Sequence, residues 1–419
     1  MESGNHGPKE RTSVNMLTPI DPIVVVGAGV AGVSAAEAAR ATAPGTPVVL
    51  LSNEPVPPYY RLRLIELFEG LTDPAAFQLH PPGWYADAGI DLRLSTTVTG
   101  IDPEKRYLRI LDGTRLPYSS LVLAMGSTSF LPPVAGSGLP GVHALWNMED
   151  AKTIRDALPG ARRAVVVGGG LLGLESAYRM SCTGVAVTIL EMVPRLLPNQ
   201  LDPEGSRLFE AQVRSLGIEV RTGVVVSRIE GADRARSVTL QDGTALDADL
   251  VLFAAGVRPN LGILTDSGIA VGRRITVDTA LRTNQDSIFA AGDVAEVGDR
   301  WLGLWSAAKA QGRIAGINAA GGDERVFVES SPYVLATMET RVASIGETGS
   351  NGPGPLAGDA GIESEIRTVE SERYYRKLVF RDGRLVGAVC VGGVPPLQKL
   401  GAAMRSGMTR EEALASALL

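Results

Sequence analysis

The sequence predicts an α/β protein made of two similar three-layer units followed by a small α+β unit. Three observations predict it. Two glycine-rich loops of identical spacing each sit between an apolar strand and a helix. The landmarks that follow each loop recur in the same order. The last stretch of chain instead carries a hairpin pattern.

The first copy begins with the apolar run Ile23 to Val26, then Gly27-Ala28-Gly29-Val30-Ala31-Gly32, then an Ala-rich helix through Ala41. The second begins with Ala164 to Val167, then Gly168-Gly169-Gly170-Leu171-Leu172-Gly173, then a helix through Tyr178. A second β-rich run follows in each, Pro47 to Leu51 and Val185 to Leu190, with an acid at or just past its end, Glu54 and Glu191. Gly89-Ile90-Asp91-Leu92-Arg93 is matched by Gly217-Ile218-Glu219-Val220-Arg221. Asp112-Gly113-Thr114 with Leu121 to Ala124 is matched by Asp242-Gly243-Thr244 with Leu250 to Phe253. An internal duplication explains four landmarks in one order more simply than chance does.

A GxGxxG loop alone is weak evidence, but a strand before it, a helix after it and an acid about 20 residues on make it a dinucleotide fingerprint. Gly27 and Gly168 allow the tight turn, Gly29 and Gly170 let pyrophosphate approach the backbone, and Gly32 and Gly173 let helix and strand pack closely. Free N–H groups and the partial positive charge at a helix start favour phosphate. The acid accepts hydrogen bonds from ribose hydroxyls. A carboxylate at Glu191 therefore predicts NADH rather than NADPH, although Arg195 lies near.

Composition narrows the class. With 45% hydrophobic and 21% charged residues the 419-residue chain folds into two or three domains. A net charge of -6 disfavours nucleic acid as a partner. Cys182 and Cys390 lie far apart and form no metal or redox pair motif, and three histidines give little for a metal centre, so no metal is expected. Both cysteines read as buried small apolar residues. No run of about 18 apolar residues predicts a membrane span. The polar residues 1–21 read as a flexible tail without a signal-peptide core, with Met16 as an alternative start, and the expected location is the cytoplasm.

Three further segments turn two generic folds into a family. Ser287-Ile288-Phe289-Ala290-Ala291-Gly292-Asp293-Val294, Ala254-Ala255-Gly256-Val257-Arg258-Pro259-Asn260 and Leu123-Ala124-Met125-Gly126-Ser127 resemble segments of the two-dinucleotide flavoprotein reductases of the pyridine nucleotide-disulfide oxidoreductase superfamily. The resemblance runs from about Ile23 to Leu400, with Met125 where Thr is usual. Pro58-Tyr59-Tyr60-Arg61-Leu62-Arg63-Leu64 and Asn199-Gln200-Leu201-Asp202-Pro203-Glu204-Gly205 look most like NADH:rubredoxin reductases and the reductase portion of assimilatory nitrite reductase.

The resemblance implies FAD at Gly27, Gly29, Gly32, Glu54, Arg61, Ala124, Gly126, Gly292 and Asp293, with Asp293 on the ribityl chain. It implies a nicotinamide dinucleotide at Gly168, Gly170, Gly173, Glu191 and Gly256. Many relatives place a Lys near flavin N5 five residues after the motif Arg; Glu66 takes that place here, and Trp305, opening a helical segment to Ala320, is expected to border the flavin. The expected domains are residues 22–128 with 252–325 for FAD, 129–251 for NAD(P)H, and 326–419 for a C-terminal unit packed on the flavin domain and available for an interface, in a monomer or homodimer. That last unit should contain a hairpin around Arg381-Asp382-Gly383-Arg384 and a Gly/Pro-rich loop from Asn351 to Gly361.

Relatives that reduce disulfides, peroxide or oxygen through cysteine carry a thiol in the segment that here reads Arg61-Leu62-Arg63-Leu64-Ile65-Glu66-Leu67. The expected activity is therefore transfer of hydride from NADH to FAD and of electrons onward to a rubredoxin or ferredoxin without a redox cysteine. A basic docking face is expected from Arg61, Arg63, Arg373, Arg376 and Lys377. Two alternatives remain: a reductase or oxidase of small molecules such as quinones, biosynthetic intermediates or oxygen, and a redox sensor holding both dinucleotides with negligible turnover.

Overall fold

The computed structural model describes residues 21–70, 73–298, 300–326, 332–348, 362–395, 397–416 and 418. The tail expected over residues 1–21 and the Gly/Pro-rich loop therefore lie, but for Asp21 and Ile362 onward, outside the described residues.

The first unit starts with β1 (Ile23–Val26), whose four apolar residues are buried on both faces, as a central parallel strand requires. Helix α1 (Val30–Thr42) returns over it to β2 (Val48–Leu51), and after the short helix α2 (Trp84–Asp87) the chain adds β3 (Ile90–Arg93). A three-stranded antiparallel ribbon, β4 (Val98–Asp102), β5 (Tyr107–Ile110) and β6 (Arg115–Pro117), precedes β7 (Ser120–Leu123), which pairs in parallel with β1. The chain then leaves through β8 (Ser127–Ser129).

The second unit repeats the plan. It contains β9 (Val142–Ala144), α3 (Met148–Ala157), β10 (Arg163–Val167), α4 (Leu171–Cys182), β11 (Ala186–Glu191), α5 (Pro203–Ser215) and β12 (Glu219–Thr222). Its own ribbon, β13 (Val226–Glu230), β14 (Ser237–Leu240) and β15 (Ala245–Asp247), precedes β16 (Leu250–Phe253). Strand β17 (Val257–Pro259) then pairs antiparallel with β8 and carries the chain back. Residues 252 and 253 belong to the second sheet, because β16 pairs with β10 along its whole length, so the return expected at residue 252 falls instead on the β8–β17 ribbon. The remaining elements of the first unit are β18 (Ile275–Val277), β19 (Ile288–Ala290), β20 (Ala295–Val297) and α6 (Trp305–Ala319).

Each central sheet has five strands, ordered β3-β2-β1-β7-β19 and β12-β11-β10-β16-β9. The fifth strand of each lies outside its repeat: β19 comes after the second unit, and β9 comes before the strand β10 that opens the second repeat. Helix α6 lies directly on α1 because Gly312 and Gly316 have no side chain there; a Cβ would stand 2.1 Å from the carbonyl oxygens of Ala31 and Ala35.

The C-terminal unit is one antiparallel sheet, β21 (Tyr333–Thr337), β22 (Thr340–Gly346), β23 (Ile362–Val369), β24 (Tyr374–Arg381) and β25 (Arg384–Val391), ordered β21-β22-β25-β24-β23. Helices α7 (Leu397–Arg405) and α8 (Arg410–Ala415) complete it. The expected hairpin is present: Arg381 pairs with Arg384 across a turn in which Asp382 and Gly383 both take positive φ, 50° and 72°, the conformation that fits the twist of a two-residue hairpin. This unit packs mainly on the second unit; against the first, the support that had been expected, the Tyr333 hydroxyl donates to the Leu302 carbonyl at 2.7 Å. Leu335, Met338, Val342, Tyr375, Val389 and Val391 share one core with residues of α4 and α5 such as Leu174, Ala177, Leu208 and Phe209. Asp202 is the hinge of that contact: one carboxylate oxygen caps α5 by accepting from Gly205 N–H at 3.0 Å, and the other accepts from the Tyr375 hydroxyl at 2.6 Å and Lys377 Nζ at 3.1 Å. No helix among the described residues is long and apolar enough to cross a membrane.

Candidate functional site: two glycine cradles

Both loops use their glycines alike. At Gly27, φ is +102° and a Cβ would stand 2.3 Å from the Ala124 carbonyl oxygen; at Gly168, φ is +124° and a Cβ would stand 2.3 Å from that of Ala254. Gly32 and Gly173 would place a Cβ 1.7 and 2.0 Å from the oxygens of Gly27 and Gly168. The protein's own backbone thus requires the first and third glycines. The second is different: a Cβ at Gly29 or Gly170 would meet nothing within 4 Å. Space left bare at the N-terminus of a helix is what a pyrophosphate needs.

The helix starts agree. Gly29 and Gly170 are the N-caps of α1 and α4, and neither helix start receives a side-chain cap. By contrast, Asn147 and Asp150 form a capping box on α3, Asp202 caps α5, and Thr409 with Glu412 caps α8. First-turn N–H groups left without a side-chain acceptor are ready for an anionic ligand. Helix α6 also starts uncapped, after Leu304.

Between the cradles the two crossings form one knot. Asn260 Nδ2 donates to the Met125 carbonyl at 2.8 Å, and Ser127 Oγ donates to Asp293 Oδ2 at 2.9 Å. Gly126 and Gly256 take positive φ, 63° and 92°, with open space where a side chain would be. Gly292, also at positive φ, packs against Ala31 in the first turn of α1, and its N–H donates to Gln311 of α6 at 2.9 Å. Asp293 therefore lies beside the start of α1. Arg274 donates to its carbonyl, and its guanidinium lies over the Trp301 ring, 3.7 Å from the centroid.

The acids of the two copies part company. In register, Leu51 of β2 corresponds to Leu190 of β11, so the counterpart of Glu191 is Ser52 rather than Glu54. Glu191 ends its strand and turns back onto the loop, accepting from Gly169 N–H at 2.6 Å and Val193 N–H at 2.8 Å. Gly169 makes room for it, since a Cβ there would stand 3.1 Å from that of Glu191. Glu54 instead accepts from the Tyr59 hydroxyl and from Arg61, both at 2.7 Å. Arg61 also donates to the Trp146 carbonyl, so its charge is already matched.

Other expected residues fall as follows. Trp305 stacks on Tyr60, ring centroids 5.9 Å apart, at the open start of α6. Glu66 does not project alone toward a ligand: it holds Arg63 through two bonds of 2.9 and 2.8 Å, and that pairing keeps its carboxyl below the usual range. The expected basic docking face is not assembled. Arg373 donates to Gln212, buried Arg376 to the carbonyls of Leu418 and Gly393, and Lys377 is paired with Asp202. Cys390 is buried, which pushes its thiol up to about 11, whereas Cys182 is exposed at the end of α4, contrary to the expectation of burial. Among the described residues no group of three or more His, Cys, Asp or Glu is placed to hold a metal.

Sequence reasoning passed over Glu175. It lies on α4 two residues past the third glycine, and burial raises its carboxyl to about 7 against the opposing charge of Arg179. Its counterpart in α1 is Ser34, so a titrating group at this depth exists in only one cradle. Arg179 meanwhile pairs with Glu69 at 2.7 Å, tying α4 to the 3-10 segment Arg61–Glu69.

Residues 21–312 match the family described as pyridine nucleotide-disulphide oxidoreductase. The chain belongs to that family. Residues 333–408 match the rubredoxin NAD+ reductase C-terminal domain. A nitrite reductase [NAD(P)H] of Bacillus subtilis (strain 168) is 32% identical over 376 residues, 88% of this chain but only 45% of that protein, so the chain spans less than half of this relative. An NADH oxidase of Methanocaldococcus jannaschii is 30% identical over 401 residues, 88% of this chain and 87% of the relative. Among solved structures, the NADH:rubredoxin oxidoreductase of Clostridium acetobutylicum superposes with a TM-score of 0.76 at 28% identity, covering 93% of this chain and 96% of that one. The family binds FAD and depends on NAD(P)H, and the two open cradles fit two dinucleotides.

Proposed function

We propose that the chain carries hydride from NADH to FAD and passes the electrons to a small one-electron iron protein of the rubredoxin or ferredoxin type. The observation that carries this reading is the pairing of two open glycine cradles with a C-terminal unit of the rubredoxin reductase kind. In this reading the first cradle, with Gly27, Gly29, Gly32 and Asp293, holds FAD, and the second, with Gly168, Gly170, Gly173 and Glu191, holds the nicotinamide dinucleotide. The domains follow as residues 22–128 with the return segment for FAD, the segment between the crossings for NADH, and the C-terminal sheet as an interface unit. When bound, the flavin supplies the hydride and electron chemistry, so the protein's task is to bind, align and set the local field.

Each residue's part follows from its position. The uncapped starts of α1 and α4 hold the pyrophosphates. Glu191 keeps lone pairs free beyond its two backbone bonds and offers them to the adenosine ribose. Asp293, steadied by Ser127, offers Oδ1 to a polyol chain. The open start of α6, where Trp305 stacks on Tyr60, would present positive potential to a bound flavin. No cysteine stands in the 3-10 segment Arg61–Glu69, and we place the redox chemistry on the flavin alone, in a cytoplasmic protein supplied with NADH.

The test is steady-state oxidation of NADH with a rubredoxin, a ferredoxin, a neutral quinone or oxygen as sole acceptor. Faster turnover with an iron carrier than with quinone or oxygen supports the proposal. The likeness to an NADH oxidase favours one rival, in which oxygen takes the electrons; undiminished turnover with oxygen alone would establish it instead.

A further inference from the structure

Away from both cradles the second unit and the C-terminal sheet border an open cleft of about 930 Å³. Its wall on α4 is Tyr178 and Arg179, whereas the pyrophosphate end of that helix is Gly170, roughly 12 Å away at 1.5 Å per residue. A volume of this size suits a small molecule.

The floor is the bare end of strand β25. Val391 pairs with Val342 of β22 on one side and with Tyr375 of β24 on the other, so Arg341 and Tyr374 flank Gly392. Gly392 sits at φ +81°, where a side chain is strained, and a Cβ on Gly393 would stand 2.8 Å from the Tyr374 ring. The two glycines thus keep the floor free of side chains. Arg341 stands at one edge, and Arg373, next to Tyr374, at the other. Two strand spacings separate them, about 10 Å between backbones, well within the joint reach of two guanidinium arms.

Neither guanidinium is matched by a carboxylate. Arg373 donates to the neutral amide oxygen of Gln212, and the exposed Arg341 guanidinium makes no hydrogen bond or ion pair among the described residues. Arg179 is satisfied by Glu69. The carboxylates that line the cleft, Glu339 and Glu372, are exposed, and the charge of Glu339 reaches Tyr178 on the α4 wall. Arg373 itself is held at φ +48°, a backbone region that non-glycine residues adopt at a cost and that concentrates at ligand sites.

We propose that this cleft binds a small molecule through one compact oxyanion, a phosphate monoester or a carboxylate, gripped between Arg341 and Arg373. Planar guanidinium forks match both oxyanions. The exposed Glu339 and Glu372 repel polyanions and acidic protein surfaces, which selects a ligand with a single anionic head. Bound there, it bridges α4 and the C-terminal sheet, so it stabilises their contact. The site does not depend on which acceptor the flavin serves.

The test uses the full chain with FAD and saturating NAD+, so that both cradles are filled. Inorganic phosphate and malonate are titrated separately at constant ionic strength against chloride, with the thermal midpoint and calorimetric Kd as readouts. At least one anion should raise the midpoint saturably where chloride does not. Arg341→Ala should weaken its Kd roughly tenfold or more, the loss of one charge-assisted contact, and Arg341→Lys should restore part of it. Arg373→Ala should do the same, and Arg341→Ala alone carries the test if that variant does not fold. Response to phosphate alone identifies a phosphate monoester and to malonate alone a carboxylate. Both anions behaving like chloride, or binding unchanged in Arg341→Ala, would overturn the proposal.

Discussion

The two cradles share a backbone and differ in what they bury. Gly27, Gly29 and Gly32 match Gly168, Gly170 and Gly173 in role: the first and third of each loop would strike a carbonyl, and the second faces open space. Yet the strand-end position carries Ser52 in one and Glu191 in the other, and the helix position two residues past the third glycine carries Ser34 or Glu175. The conserved geometry is what any dinucleotide pyrophosphate demands. The divergent side chains give one cradle hydroxyls where the other has carboxyls, so the two differ in charge on a shared frame.

The sharpest way to break the comparison is to exchange the roles of two glycines in one loop. Gly27→Ala should cost about 3 kcal/mol or more of stability, since the new Cβ combines positive φ with a backbone clash. Gly29→Ala should leave the apoprotein's thermal midpoint within about 1 °C, since it adds a methyl into open space, and should still weaken FAD retention. Equal destabilisation by both would show that the second glycine serves the fold. The same pair at Gly168 and Gly170 should repeat the split for NADH.

Glu175 tests the difference between the helices. Its folded carboxyl titrates near 7 against about 4.5 unfolded, so the native state holds the proton more tightly. Its contribution to stability is complete below pH 4.5 and is lost as pH rises to 7, a change on the order of 3 kcal/mol. Glu175→Gln should flatten that slope, read by denaturant unfolding at pH 5 and 8. An unchanged slope would place the charge in water.

A smaller effect is expected at the strand end. Glu191→Ala should narrow the preference for NADH over NADPH by about 1–3 kcal/mol in kcat/KM. A wild type that uses both nucleotides equally would remove Glu191 from that role. The smallest effect belongs to sulfur. Cys182→Ser with Cys390→Ser should leave anaerobic reduction at about two electrons per FAD, and a four-electron requirement would restore a dithiol to the mechanism.

The duplication, both loops, the family and the C-terminal hairpin were legible in the sequence, because glycine spacing and strand–loop–helix order are local and leave little freedom. Tertiary structure alone decided the rest. The register of β2 against β1 sets Ser52, not Glu54, opposite Glu191, since an offset of two residues shows only once the strands pair. The fifth strands β19 and β9 come from outside their repeats, which no periodicity announces. Arg376 and Lys377 resembled a solvated basic face, but long cationic side chains are committed by whatever lies within their reach, here two carbonyls and Asp202. For the same reason the C-terminal sheet packs on α5, where Asp202 caps the helix and meets Tyr375 and Lys377. A chain can encode a loop by itself, but a partner across 170 residues exists only after folding, when burial makes leaving a polar group unpaired costly.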